Sequence, residues 1–269
     1  MEQLSSKDNS TIKLCRSLAA DPGARSASGL AFVEGVRLCR DAAATVPIQT
    51  LLVTEQAYRR WQPELTALSQ MSQSTYLITP ALADSIAQTQ NSQGCYCICQ
   101  TPHMALPTVK NGSFLLLERL QDPGNLGTII RCAEAFGMDA VLCSPDCADL
   151  WSPKVLRSAM GSCFRQCVVV SQDLCATARQ LTQSGVSVYA ATLTRDAVLP
   201  QQMTRGSGGI AVAIGNEGAG LTSSLLDCCT SSVFIPMTDR IESLNAATAA
   251  TVLMWELCGR GGKGGQTNG

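Results

Sequence analysis

The run Phe114-Leu115-Leu116-Leu117-Glu118, then the turn Gln121-Asp122-Pro123-Gly124, then Asn125 to Phe136 closing on Gly137, decides the fold class of this 269-residue chain. Four consecutive apolar residues without polar alternation mark a strand covered on both faces, as in a parallel sheet. Asn125 to Phe136 carries apolar residues at helical spacing, and a glycine after the last turn is the usual helix stop. The alternation continues downstream. Strands are expected at Ala140–Cys143, Cys167–Val170, Val186–Ala191, Ile210–Ile214 and Val233–Ile235. Helices are expected at Pro153–Met160, Leu174–Thr182 and Ser243–Leu257. Such a pattern predicts a mostly parallel sheet with helices on both faces, and ligands in the loops beyond the carboxyl ends of its strands.

Upstream, Ile12–Ala20, Val36–Ala44 and Pro80–Gln88 read as helices, and Leu30–Glu34, Ile48–Val53, Tyr76–Ile78 and Cys95–Cys99 as strands. That makes a smaller α/β domain over residues 1–105, its first ten residues frayed. Thr101 to Pro107 holds two prolines and no periodicity, so 101–110 is read as a linker. The second domain then spans 111–260, with 261–269 a glycine-rich tail. Apolar residues make up 45% and charged residues only 15%, which excludes a disordered chain and a coiled coil. No apolar run approaches the roughly 18 residues of a membrane span. The start lacks a basic-then-apolar leader, so the expectation is a cytoplasmic protein without a membrane partner. Fourteen cysteines and one histidine form no CxxC pair or zinc spacing, so the cysteines are expected to be buried free thiols, with no metal.

Three loops carry more than a connection needs. Asn125-Leu126-Gly127-Thr128-Ile129-Ile130-Arg131 opens a helix, with Asn125 as expected N-cap and Arg131 one to two turns on, facing roughly the same way. Ile214-Gly215-Asn216-Glu217-Gly218-Ala219-Gly220-Leu221 puts three glycines around one carboxylate. Its G-x-x-G-x-G order is not the dinucleotide fingerprint, and a P-loop is absent. Ile235-Pro236-Met237 leads through a polar excursion to Ser243-Leu244-Asn245, where Asn245 is expected just inside a helix that Ser243 opens. Taken singly, each loop has an ordinary reading as a capped helix or a solvated turn.

Together the three resemble the SpoU (TrmH-type) group of SPOUT RNA methyltransferases. The first motif is met by Asn125, Gly127, Arg131, Ala133, Phe136 and Gly137. The second is met by Ile214, Gly215, Glu217, Gly218, Gly220 and Leu221, and the third by Ile235, Pro236, Met237, Ser243, Leu244 and Asn245. Arg25, Phe32 to Arg37 and Asn91 to Gly94 resemble the family's ribosomal-protein-like substrate-binding domain. Asp239 and Ala246 depart mildly from the pattern.

The resemblance implies a SPOUT knot domain that transfers a methyl group from S-adenosylmethionine to a ribose 2′-hydroxyl of RNA. It implies a catalytic set of Arg131, Asn125, Glu217, Ser243 and Asn245. Cofactor binding falls to Thr192, Leu193, Gly215, Gly220, Ile235, Met237 and Leu244, largely through backbone groups. RNA contacts are expected from Arg25, Arg37, Lys154 and Arg157, and a homodimer is expected through the knot domain and its last helix. Ribosomal RNA is the expected substrate; transfer RNA, or a knot that binds RNA without chemistry, is the alternative. Since a guanidinium stays protonated at ordinary pH, Arg131 is read as holding a phosphate and lowering the hydroxyl's pKa, not as a base.

Overall fold

The computed structural model describes residues 1–194, 196–238, 240–241 and 243–259; Asp239 and the tail at 261–269 lie outside the described residues. The chain forms two compact units, one of residues 1–103 with 149–165, the other of 104–148 with 166 onward.

The first unit is built on β1 (Glu2–Leu4), β2 (Leu30–Glu34), β3 (Ile48–Thr54), β4 (Ser72–Ile78) and β5 (Cys95–Gln100), in the order β1-β4-β3-β5-β2. Between them run α1 (Ser10–Ala20), α2 (Pro22–Ser28), α3 (Val36–Ala43), α4 (Glu55–Arg60), α5 (Gln62–Met71) and α6 (Pro80–Ile86). β3 and β4 are parallel, whereas β5 runs antiparallel to both β2 and β3. Every residue of β5 before Gln100 is buried, so the alternating Cys95, Cys97 and Cys99 fill a covered strand. The expected frayed start is corrected: Glu2 to Leu4 pair in parallel with Tyr76 to Ile78, and Leu4 is buried. Glu2 and Gln3 are exposed and polar, so the strand's apolar sign in the sequence is Leu4 alone, which packs with Ile12, Leu18 and Ile78.

The second unit begins with β6 (Gly112–Leu117), α7 (Pro123–Phe136) and β7 (Ala140–Cys143). The chain then leaves it for α8 (Pro153–Ala159) and α9 (Ser162–Arg165), which pack with the first unit. Arg25, Asp149, Asp41 and Arg165 explain that departure: Arg25 pairs with Asp149, and Arg165 with Asp41 at 3.3 Å. Val155, Leu156, Cys163 and Phe164 are buried there. The single break expected near 105 thus becomes three, because those contacts join residues more than a hundred apart.

The second unit resumes with β8 (Val168–Val170), α10 (Leu174–Gln183), β9 (Val186–Ala191), β10 (Gly209–Ile214), α11 (Ser223–Leu226), β11 (Ser231–Val233) and α12 (Ala246–Gly259). Its six strands are all parallel, in the order β11-β9-β10-β6-β7-β8. Phe114, Leu116, Leu142, Val188 and Ala213 share one face with Leu174, Ala178 and Leu181 of α10 and Leu225 of α11. The intervening Leu115, Leu117, Val212 and Ile214 are equally buried on the other face, where α7 and α12 pack. Both faces are covered, as the unbroken apolar run required. Gly209 sits at φ +130 where a Cβ would lie 2.1 Å from the Gly112 carbonyl oxygen, so this strand start accepts no side chain. The expected strand at Val233–Ile235 ends early: β11 stops at Val233, and the Phe234 amide turns to the Val198 carbonyl.

All fourteen cysteines are free thiols, but six of them, including Cys147, are only partly buried. The neighbouring Cys143 side chain, with the Ser144 hydroxyl and the Leu120 amide, lowers the Cys147 thiol to about 6.

Candidate active site

The carboxyl ends of β6, β9, β10 and β11 carry the loops that the sequence singles out. α7 begins two residues earlier than expected. Asp122, not Asn125, is its N-cap, with Pro123 in the first turn, and the Asp122 carboxylate accepts from the Asn125 amide at 2.8 Å. Asn125 therefore lies inside the first turn with its side-chain amide free of capping. That amide donates from Nδ2 to Glu217 Oε1 at 3.0 Å and accepts at Oδ1 from Asn245 Nδ2 at 2.9 Å. The result is a directed chain, Asn245 to Asn125 to Glu217, that ties the three motifs together across 120 and 92 positions of sequence.

α12 also begins later than expected. Asn245 is not inside the helix: its Oδ1 accepts from the Ala247 and Thr248 amides at 2.9 and 3.3 Å, so it caps α12 and grips Asn125 at once. This removes the helix-propensity argument for Asn245 and replaces it with a direct contact. Ser243, freed from the capping role, is exposed and lines a cavity beside Leu244.

The glycine loop is rigid for reasons internal to it. Asn216 and Gly220 exchange backbone hydrogen bonds at 3.1 and 2.9 Å, and Asn216 Oδ1 accepts from the Gly218 and Ala219 amides, both at 3.0 Å. A Cβ on Gly215 would lie 2.2 Å from the Gly220 carbonyl carbon and 2.3 Å from the Leu221 amide nitrogen. Gly215 is thus needed for the loop to close on itself, and Gly220 for its positive φ of 67°. The loop is also clamped from below. Buried Glu118 accepts from the Thr222 amide at 2.7 Å and its hydroxyl at 2.6 Å. Arg119, at φ 55°, accepts from Asn216 Nδ2 at its carbonyl and reaches the Gly220 carbonyl at 3.4 Å. The sequence reading missed Glu118 and Arg119. Their signal was a charged pair immediately after a wholly apolar strand, where a buried strand has no ordinary use for charge.

Between the ends of β9 and β11 and the start of α12 lies a cavity of about 160 Å³. Thr192, Leu193, Ile235, Met237, Ser243 and Leu244 line it, so five of the seven expected cofactor positions meet here. Gly215 and Gly220 do not line it. Ala249 and Leu253 of α12 complete the wall, and among the described residues no charged side chain takes part. Apolar walls with two hydroxyls suit a flat, uncharged ring such as adenine. The volume is below the ~300 Å³ that encloses a whole small ligand, so the cavity fits part of S-adenosylmethionine.

Arg131 stands apart. Six residues beyond Asn125, it lies about 120° around the helix from it, at roughly 100° per residue, which corrects the expectation that both face one way. It is exposed and makes no hydrogen bond or ion pair with a described residue. Of the expected RNA contacts, Arg37 and Lys154 are exposed and Arg157 is half-buried. Arg25 is not available: it is 4% exposed, pairs with Asp149 and donates to the Leu18 carbonyl. Among the described residues no three histidine, cysteine or acidic side chains gather as metal ligands.

Residues 112–255 match the SpoU rRNA Methylase family, and residues 9–97 match an MRM3-like substrate binding domain. The chain is 32% identical to the 23S rRNA (guanosine(2553)-2'-O)-methyltransferase RlmP of Bacillus subtilis, over 96% of this chain and all of that one. It is 32% identical to an uncharacterized tRNA/rRNA methyltransferase of Synechocystis, over 94% of this chain and 92% of that one. Among solved structures, it superposes on the AdoMet-bound rRNA methyltransferase from Sinorhizobium meliloti with a TM-score of 0.84 and 25% identity, covering 95% and 97% of the two chains. With three motifs joined by one hydrogen-bonded chain beside a cavity at the strand ends, the chain belongs to the SpoU rRNA methylase family and is an S-adenosylmethionine-dependent RNA ribose 2′-O-methyltransferase of the SPOUT fold.

Proposed function

We propose that this enzyme methylates the 2′-hydroxyl of a guanosine in large-subunit ribosomal RNA, in the cytoplasm, as a homodimer. The observation that carries the reading is the Asn245–Asn125–Glu217 chain beside the cavity lined by Leu193, Ile235 and Leu244. S-adenosylmethionine, when bound, supplies an electrophilic methyl group. Thr192, Leu193, Ile235, Met237 and Leu244 would hold its adenosyl part, and Gly215 and Gly220 serve by keeping the neighbouring loop closed. Asn125 fixes the Glu217 carboxylate in one orientation, so the loop meets the ribose preorganised. Ser243, exposed at the cavity's edge, offers a hydroxyl to the incoming sugar. Arg131 holds the phosphate next to the reacting ribose and lowers the pKa of its hydroxyl.

The direct test is methyl transfer from labelled S-adenosylmethionine to unmodified transcripts of ribosomal and transfer RNA, followed by mapping of 2′-O-methyl positions. Label at a guanosine of the large ribosomal RNA is expected. Label confined to transfer RNA would move the substrate, and RNA binding without label would leave a non-catalytic knot.

The dimer reading rests on α12. Trp255 is 58% exposed and Val252 37%, with Trp255 set edge-on to Phe136 of α7 at 5.9 Å. A large aromatic held rigidly at the surface suits burial against a second copy. Trp255→Glu is expected to halve the mass measured by light scattering and to remove most activity. A variant that stays dimeric would move the interface elsewhere. Cofactor capture has its own test. Ala249→Leu adds three carbons inside the cavity and is expected to raise the Kd for S-adenosylmethionine at least tenfold by calorimetry, with the fold intact; unchanged affinity would place the cofactor elsewhere.

A further inference from the structure

A cleft of about 820 Å³ opens in the first unit, lined only by residues of that unit. It lies at the carboxyl ends of the parallel strands β3 and β4, with the loop at Asn91–Gly94 as its far wall. That wall is built to keep its shape. Gly94 has φ +67°, and a Cβ there would lie 2.4 Å from Thr54 Oγ1. The Ser92 hydroxyl meets the Tyr96 hydroxyl at 2.6 Å and accepts from the Gly94 amide at 3.2 Å, while Tyr96 donates to the Ala83 carbonyl at 3.3 Å. The Gln93 side-chain oxygen accepts from the Val36 amide at 2.9 Å, fixing the loop to α3.

The lining chemistry suits one kind of guest. Trp61 contributes an indole with the Arg60 guanidinium over its ring at 4.7 Å from the centroid, so the cleft has a planar π surface and a planar cation together. Gln56, Asn91 and Asp84 also line it, and none of their side chains has a hydrogen-bond partner among the described residues. Glu55 and Asp84 outnumber Arg60 among the lining charges, which disfavours a phosphate there. A flat, uncharged ring with hydrogen-bond donors on its edge satisfies all of this. Unpaired bases that stack on aromatic or guanidinium planes are how single-stranded RNA is read.

We propose that this cleft receives one unpaired guanine of the RNA substrate, stacked on the Trp61–Arg60 pair with its N1–H and N2–H donors on the Asp84 carboxylate. Guanine alone among the four bases presents two adjacent donors to a carboxylate that can only accept. The inference rests on the reading that RNA is the substrate, and it adds a base-specific subsite to the first unit.

The test uses the full chain and unmodified large-subunit ribosomal RNA transcript in a filter-binding titration at fixed salt. Trp61→Ala is expected to weaken binding by about 5- to 150-fold, the range for loss of one stacked base, and Trp61→Phe to recover most of it. With short single-stranded oligonucleotides, the wild type is expected to prefer guanosine over inosine, which lacks the N2 amine, and Asp84→Asn to lose that preference. S-adenosylmethionine affinity should not change in any of these variants. If Trp61→Ala does not fold, photocrosslinking of the wild type to a 6-thioguanosine oligonucleotide takes its place, with adducts expected within 60–61 or 91–94. Adducts only elsewhere, undiminished binding by Trp61→Ala, or equal affinity for guanosine and inosine would overturn the subsite. Methyl transfer by the wild type alongside such a result would sink the cleft alone; no binding and no transfer to any RNA would sink the substrate reading with it.

Discussion

Arg131→Ala is expected to lower kcat by on the order of 10²–10³-fold, the usual cost of removing one preorganised charge-stabilising donor, with the Kd for S-adenosylmethionine within twofold of wild type. Single-turnover methyl transfer and calorimetry on the same preparation measure both. Arg131→Lys should recover little, since an ammonium cannot span two phosphate oxygens as a guanidinium does. The position of Arg131, about 120° around α7 from Asn125 and without a partner among the described residues, sharpens the expectation. If each Arg131 serves the other subunit's cavity, two inactive variants should complement. Mixing Arg131→Ala with Ala249→Leu and allowing subunits to exchange would then restore a fraction of activity, because a mixed dimer holds one site with both functional parts. Full activity in Arg131→Ala alone would remove this residue from the reaction.

Gly215→Ala is the second large effect. Its new methyl would lie within 2.4 Å of three backbone atoms of Gly220 and Leu221, none of which can swing aside as a side chain would. Overpacking of this kind costs about 1–3 kcal/mol, which for a domain this size lowers Tm by roughly 2–12 °C. The functional loss should exceed that. Relief requires the loop to open, and an open loop carries Glu217 away from Asn125. Methyl transfer is therefore expected to fall at least a hundredfold under conditions where calorimetry still shows a folded protein. Gly218→Ala, whose Cβ would meet only Asn216 Oδ1 at an ordinary 3.7 Å, should leave Tm unchanged. Equal melting and equal turnover for Gly215→Ala and wild type would show the loop to be softer than its contacts imply.

The parallel sheet was legible because burial on both faces forces unbroken apolar runs such as Leu115 to Leu117, and the helices of the second unit because their apolar stripe faces it. Local capping was less so. Asp122 and Asn125 are both competent caps, and the choice fell to Asp122 because Pro123 suits the first helical turn and leaves Asn125 free to bridge. Asn245 was legible as unusual, though for the wrong reason: sequence gave it a place inside a helix, and it caps the helix instead. The burial of Arg25, expected instead as an RNA contact, was not legible. A short-range pattern shows a charged residue near a turn; its burial depends on Asp149, 124 residues later. The same holds for Glu118, whose use is visible only once Thr222 arrives beside it. What sequence periodicity conveys is which face a residue turns inward, not which distant residue will meet it.

The detour of residues 149–165 into the first unit has a consequence for how the protein is made. A ribosome that has released residues 1–105 has not yet released the whole of the first unit. Its hydrophobic interior still lacks Val155, Leu156 and Phe164, and Arg25 still lacks its Asp149 counter-charge. That unit is completed only after β6, α7 and β7 have emerged, so the nascent chain carries both halves unfinished at once. A gene fragment ending near residue 105 accordingly encodes an incomplete object, and any transplant of this module to another enzyme must take both pieces of chain.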